Sequence, residues 1–154
     1  EGRVLSSDLH ASKLSLVESG AERLGISIVE TEERDARALR EELVGKVDRV
    51  LCDVPCSGLG VLSKKPDLRY KDLASLSELP DLQYSILSAS AKYLKVGGEL
   101  VYSTCTLNPD ENERITDAFL LDHPEFIRIG KAETIFPVGG ECDGFFCDLL
   151  ERCL

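Results

Sequence analysis

The chain contains no methionine and no tryptophan. Translation begins with Met, so a Met-free chain of 154 residues reads as a processed or excised piece of a longer one. No apolar run reaches the roughly eighteen residues that a membrane-spanning helix needs. No basic segment followed by an apolar stretch opens the chain, so no secretory signal is read. Histidine is scarce, with 2 residues, and no Cys-x-x-Cys pair occurs, so no zinc site is expected. Basic residues are outnumbered, 18 Lys and Arg against 28 Asp and Glu, for a net charge of −10. That balance argues against a broad nucleic-acid-binding surface. Any nucleic-acid partner requires a local basic patch or a basic neighbour outside this piece.

What is present is ordinary for a water-soluble fold: 43% apolar and 30% charged residues. The length corresponds to a single domain over residues 1–154, long enough to bury a core. Six cysteines (Cys52, Cys56, Cys105, Cys142, Cys147, Cys153) would suit a disulfide scaffold in a much shorter secreted chain. Here they lie among helix and strand patterns, which favours a reducing, cytoplasmic setting. A thiol redox or metal protein is the third-ranked reading of the same cysteines.

Arg3 to Ser7 reads as a strand ending at Asp8. Residues 11–24 have helical spacing, with Gly25 as the stop. Ile26 to Val29 reads as a second strand followed by a polar loop, Glu30 to Arg34, up to Asp35. Ala36 to Leu43 reads as a short helix closed by Gly45. Val47 to Cys52 is strand-forming and runs into a polar turn containing Asp53, Pro55, Cys56, Ser57 and Gly58. The spacing predicts an amphipathic helix over 78–95, stopped by Gly97-Gly98, then a strand from Leu100 to Ser103. Asn108 and Pro109 start a helix through about Leu121. Phe126 to Ile129 is another strand, and residues 143–150 form a turn and a final one. Alternating strands and helices predict an α/β fold: a mostly parallel sheet, helices on both faces and an antiparallel closing pair.

In such sheets ligands bind at the carboxyl ends of the strands. Asp8, Asp35 and Asp53 follow three successive predicted strands. Each alone reads as a turn or cap residue. Three in series favour a site for a nucleoside cofactor. The glycine-rich turn that such a site needs after its first strand is missing ahead of Asp8. The chain therefore reads as starting at the second strand of its fold. A sheet without that strand exposes edges, so self-association of the piece is expected. Cys56 and Cys105 sit in polar loops at two strand ends. Each is either an activated nucleophile or a small buried apolar residue. Cys52, Cys142, Cys147 and Cys153 are read as apolar packing residues. Residues 62–71 form the most basic stretch, with Tyr70 inside it.

Two motifs, Asp53-Val54-Pro55-Cys56-Ser57-Gly58 and Ser103-Thr104-Cys105-Thr106, stand about fifty residues apart. With Lys65-Pro66-Asp67-Leu68-Arg69-Tyr70, Leu107 to Glu113 and Asp143-Gly144-Phe145-Phe146, they resemble the RsmB/Sun-type RNA cytosine-5 methyltransferases along essentially the whole chain. The resemblance implies a Rossmann-like fold dependent on S-adenosylmethionine, here without its first strand and glycine loop. It implies Asp8 as ribose ligand, Asp35 as adenine-side ligand and Asp53 as the acid facing methyl donor and target base. It implies Cys105 as nucleophile, Cys56 as the thiol assisting product release, and RNA, expected to be ribosomal, as substrate. Lys64, Lys65, Arg69 and Lys71 are candidates for phosphate contacts, and Tyr70 for stacking on a base; an ordinary solvated loop is the alternative. The competing reading of the whole chain is an inactive α/β interaction module that keeps the family's surface.

Overall fold

The computed structural model describes residues 2–70, 76–139 and 142–154. The chain forms two compact units, Glu1–Leu39 and Arg40–Leu154.

In the first unit, strand β1 (Val4–Asp8) pairs in parallel with β2 (Val29–Glu33) across helix α1 (Ala11–Arg23). The second strand thus covers residues expected to be loop, and Ile26 lies outside it. The reason is the end of α1. Gly25 takes φ +68, its N–H donates to Glu22 C=O, and the Ile26 N–H donates to Ala21 C=O. These two bonds close the helix in a left-handed cap, so residue 26 belongs to the helix terminus. The polar residues of β2 have side-chain partners: Glu30 binds Arg3 at 2.6 Å, and Thr31 donates to Glu18.

The short helix expected over residues 36–43 is absent. Asp35 instead accepts the Arg37 N–H at 2.9 Å in a side-chain turn, and only a 3₁₀ turn, Glu41–Leu43, follows.

The second unit is built on β3 (Val47–Asp53), α2 (Leu79–Ala91), β4 (Leu94–Thr104), α3 (Glu113–Asp122), β5 (Phe126–Arg128), β6 (Glu133–Ile135) and β7 (Phe145–Arg152). Its sheet has the order β3-β4-β7-β5, and β6 also pairs with β7. β3 and β4 are parallel, whereas β7 runs antiparallel to β4, β5 and β6. The α/β architecture and the antiparallel closing strand are as expected, but this sheet is mixed, with β3–β4 its parallel pair and β7 antiparallel to three neighbours, and the small β6 was not expected.

α2 ends earlier than its hydrophobic spacing suggests. The carbonyls of Lys92 and Tyr93 accept the N–H groups of Gly45, Lys46 and Val47, so the chain is already entering the sheet. Gly97 and Gly98 lie inside β4, not at a helix stop. Between the pairs Val47↔Leu94 and Arg49↔Glu99 the longer strand bulges. Gly97 takes φ +77 there, and a side chain at Gly98 would press on Leu94 and on Lys95 C=O at 2.9 Å.

The core lies between this sheet and its helices. Leu87, Leu94, Leu100, Tyr102, Phe119 and Leu150 are fully buried. The buried carboxylate of Asp148 on β7 is gripped by Arg128 of β5, at 3.0 and 2.8 Å from Nε. Arg128 Nη2 also donates to Thr116 and Asp117 of α3, tying the tail of the sheet to that helix. Among the remaining cysteines, Cys52 is buried in β3, but Cys142 is exposed, contrary to the packing role read for it.

Arg128→Met removes the only donors to Asp148 seen among the described side chains and leaves its carboxylate buried and alone. Urea denaturation is expected to show a loss of about 3 kcal/mol.

Candidate active site at the paired cysteines

β3 and β4 are parallel neighbours, so their carboxyl ends lie side by side. Asp53 pairs with Ser103 in register, and the Ser103 hydroxyl donates to Asp53 Oδ1 at 2.9 Å. Three residues on from Asp53 comes Cys56; two on from Ser103 comes Cys105. The two loops bring the sulfurs to 3.3 Å, with both cysteines half-buried. Gly58, at φ +76, provides the turn that swings the first loop back.

A buried polar lattice holds the loops together. Ser57 and Thr106 share a hydroxyl–hydroxyl bond of 2.8 Å. The Gly60 N–H donates to Cys105 C=O at 3.0 Å, and Gly60 C=O accepts the Gly144 N–H at 2.7 Å. The Asp-Gly-Phe-Phe turn is thus stitched to the Cys56 loop, and through Gly60 to Cys105. Asn112 accepts from the Thr104 hydroxyl at 2.6 Å and donates to Thr106 C=O at 3.0 Å. That duty breaks the expected helix from Pro109: a 3₁₀ turn, Pro109–Glu111, comes first, and α3 starts only after Asn112. Asn108 caps the turn as expected, accepting the Asp110 N–H at 3.1 Å.

Two buried polar residues here escaped the sequence reading: Gln83, fully buried on α2, and Glu111, 1% exposed. Gln83 had one legible signal, a polar residue four positions from both Leu79 and Leu87 on the apolar helix face. Glu111 looked like any acid in a helix first turn.

The Cys56 thiol is pushed up to about 12, first by burial, then by its hydrogen bond to Cys105 and the charge on that sulfur. Cys56 therefore keeps its proton at neutral pH, and either sulfur can be the donor in the contact.

In the first unit, Asp8 ends β1; its carboxylate accepts the His10 N–H at 2.9 Å and faces Lys13 at 3.6 Å. The Asp35 carboxyl is lowered to about 2 by hydrogen bonds from the Arg37 side chain and backbone. Both are acceptors at strand ends, the chemistry that ribose and amino groups need.

The basic loop runs through a 3₁₀ turn, Pro66–Tyr70. Lys64 pairs with Asp143 at 2.5 Å, while Lys65, Arg69 and Tyr70 are exposed, Tyr70 by 90%. Lys71 lies outside the described residues. An open depression of about 540 Å³ adjoins the cysteine loops, with Leu59, Asn108 and Ile115 in its wall. Among the described residues, no three His, Cys, Asp or Glu side chains group to hold a metal.

Iodoacetamide at pH 8 is expected to label Cys56 far more slowly than exposed Cys142. Cys105→Ala removes two of the three causes that raise it, so the Cys56 rate should rise about tenfold for each pKa unit recovered, read by peptide mass spectrometry. A Cβ at Gly60 would lie 2.2 Å from Gly144 C=O. Gly60→Ala should accordingly cost about 1–3 kcal/mol in urea denaturation.

The model of the family described as 16S rRNA methyltransferase RsmB/F matches residues 1–151. The chain is 44% identical over 128 residues to “Probable ribosomal RNA small subunit methyltransferase B” of Bacillus subtilis, covering 82% of this chain and 29% of that protein. It is 34% identical over 169 residues to ribosomal RNA small subunit methyltransferase F of Escherichia coli O157:H7, covering 99% of this chain and 35% of that one. The chain thus spans about a third of the length of these relatives. A methyltransferase homologue from Pyrococcus horikoshii superposes with TM-score 0.82 at 25% identity, covering all of this chain and 54% of that one. NSun6 from the same organism gives 0.79 at 29%, covering 100% and 42%. The architecture is the Rossmann-like methyltransferase fold, and with its two cysteine loops the chain belongs to the RsmB/F family of 16S ribosomal RNA methyltransferases.

Proposed function

We propose that the chain is the larger part of a catalytic domain that methylates C5 of cytosine in ribosomal RNA through a covalent adduct on Cys105. Both units, residues 1–39 and 40–154, belong to that one domain. The observation that supports this best is the pair of sulfurs 3.3 Å apart beside Asp53 at the ends of adjacent parallel strands.

Cytosine C5 is a poor nucleophile. The Cys105 thiolate adds to C6, forming the S–C6 bond and shifting the C5–C6 π pair to C5. S-adenosylmethionine, when bound, supplies an electrophilic methyl group to that carbon. Asp8 and Asp35 would hold its ribose and adenine as hydrogen-bond acceptors, and Asp53, steadied by Ser103, would face the base edge where charge develops. A base then takes the C5 proton, the C5–C6 double bond re-forms and the S–C6 bond breaks.

Cys56 suits the last step because its proton affinity changes during the cycle. In the resting site burial, and after it the hydrogen bond and charge of Cys105, hold its proton in place. Once the Cys105 sulfur is bonded to carbon, it no longer carries that charge. The Cys56 thiol then ionises more readily and is a competent base next to the adduct. Lys64, Lys65 and Arg69 contact RNA phosphates, and Tyr70 stacks on a base. The target cytosine leaves its stack to reach Cys105.

In the protein that contains this chain, Cys56→Ala should lower methylation about a hundredfold or more while a covalent RNA adduct on Cys105 accumulates on denaturing gels. Cys105→Ala should abolish both signals. A Cys56→Ala protein that binds RNA but traps none would sink the two-cysteine mechanism.

A further inference from the structure

We propose that Glu111 and Gln83 are positioning residues that clamp the backbone on both sides of Cys56 and so hold its sulfur against Cys105. The functional value of that clamp rests on the reading of the two cysteines given above. The clamp itself stands on the geometry.

Glu111 Oε2 accepts the Ser57 N–H at 2.8 Å and Gln83 Nε2 at 3.0 Å; Oε1 accepts Asn108 Nδ2 at 3.1 Å. Gln83 Nε2 also donates to Pro55 C=O at 2.9 Å. Pro55 and Ser57 flank Cys56, so one residue of the loop is gripped by its carbonyl and the other by its N–H. Glu111 is fastened in turn by the Tyr102 hydroxyl, which donates to its backbone C=O at 2.7 Å from near the carboxyl end of β4. The clamp therefore refers the Cys56 loop to the strand that delivers Cys105.

Two features are hard to account for as packing alone. Glu111 is buried with three neutral donors and no cation among its described partners, an arrangement that demands an acceptor-only side chain. Gln83 has both its acceptors on one nitrogen, and its Oε1 is buried without a partner. A buried orphan oxygen destabilises the fold. It persists here because turning the amide over would place an oxygen against Pro55 C=O and the Glu111 carboxylate. The cost is accepted beside the loop that carries Cys56.

The test uses sulfur proximity directly and needs neither RNA nor cofactor. Diamide oxidises two adjacent thiols to a disulfide and is itself reduced to the hydrazine. In the chain as it stands, it should join Cys56 to Cys105. Glu111→Gln keeps one acceptor oxygen and loses the other, whereas Gln83→Leu removes the link to Pro55. Each should slow cross-linking about tenfold, with circular dichroism and the labelling rate of exposed Cys142 unchanged. Folded variants that cross-link at the wild-type rate would overturn the proposal, as would a wild-type chain that forms no Cys56–Cys105 link. Loss of the fold in both variants would reduce the pair to a folding element and also overturn it. In the protein that contains this chain, Glu111→Gln should raise the ratio of trapped RNA adduct to methylated product, as Cys56→Ala does. Slowed cross-linking without any trapped adduct in Cys56→Ala would uphold the clamp and overturn the methyl-transfer reading instead.

Discussion

The parallel pairing of Asp53 with Ser103 is the constraint from which the site follows. Because the register is in phase there, both chains leave the sheet at the same level and on the same edge. Loops of two and three residues are then short enough to bring Cys56 and Cys105 into van der Waals contact. A slip of one residue would turn every side chain of β3 to the opposite face and separate the sulfurs. Register at this end is secured from within the sheet by Ser103 on Asp53, and at the other end by the glycine bulge of β4.

Beyond the sheet, the loops are held by hydrogen bonds far more than by apolar packing. Thr104, Thr106, Asn112, Ser57, Gln83 and Glu111 are all buried, and all but one of their side-chain groups named above have partners. Such a lattice is directional, so it fixes positions to a fraction of an ångström where apolar side chains would allow sliding. It explains why Gly60 and Gly144 stand where their backbones touch: Gly60 donates to the Cys105 carbonyl and accepts from the Gly144 N–H, so two backbone hydrogen bonds link the Cys105 loop to the C-terminal turn through Gly60, and a side chain at Gly60 or Gly144 would part them.

Charge is distributed with the same economy. An acidic chain places its exposed cations Lys65 and Arg69 on one loop, while Lys64 is shared with Asp143 of the neighbouring turn. Asp35 is neutralised locally by Arg37, and Asp148 by Arg128 in the interior. The cysteine pair is the exception, since one sulfur raises the proton affinity of the other. That contribution comes after burial, needs the two loops to meet, and has no counterpart in either loop by itself.

The residues alone determined the alternation of strands and helices, the strand-to-loop breaks at Asp53 and Ser103, and the two cysteine motifs. Each of these rests on local patterning or on a short motif. They did not determine where α2 stops, that Gly97-Gly98 lies within a strand, or that residues 30–33 form β2. A distant or capping hydrogen bond overrode local propensity in two of these cases, Gly45 on Lys92 and Ile26 on Ala21; in the other, the strand bulge brings Gly98 too close to the Asp48 carbonyl for any side chain. The meeting of Cys56 with Cys105 was legible as a motif, whereas the roles of Gln83 and Glu111 were not. A glutamine on one helix and a glutamate in a later turn become partners only when the sheet has brought both beside the same loop. Hydrogen-bond complementarity of that kind exists between surfaces, and tertiary folding creates the surfaces.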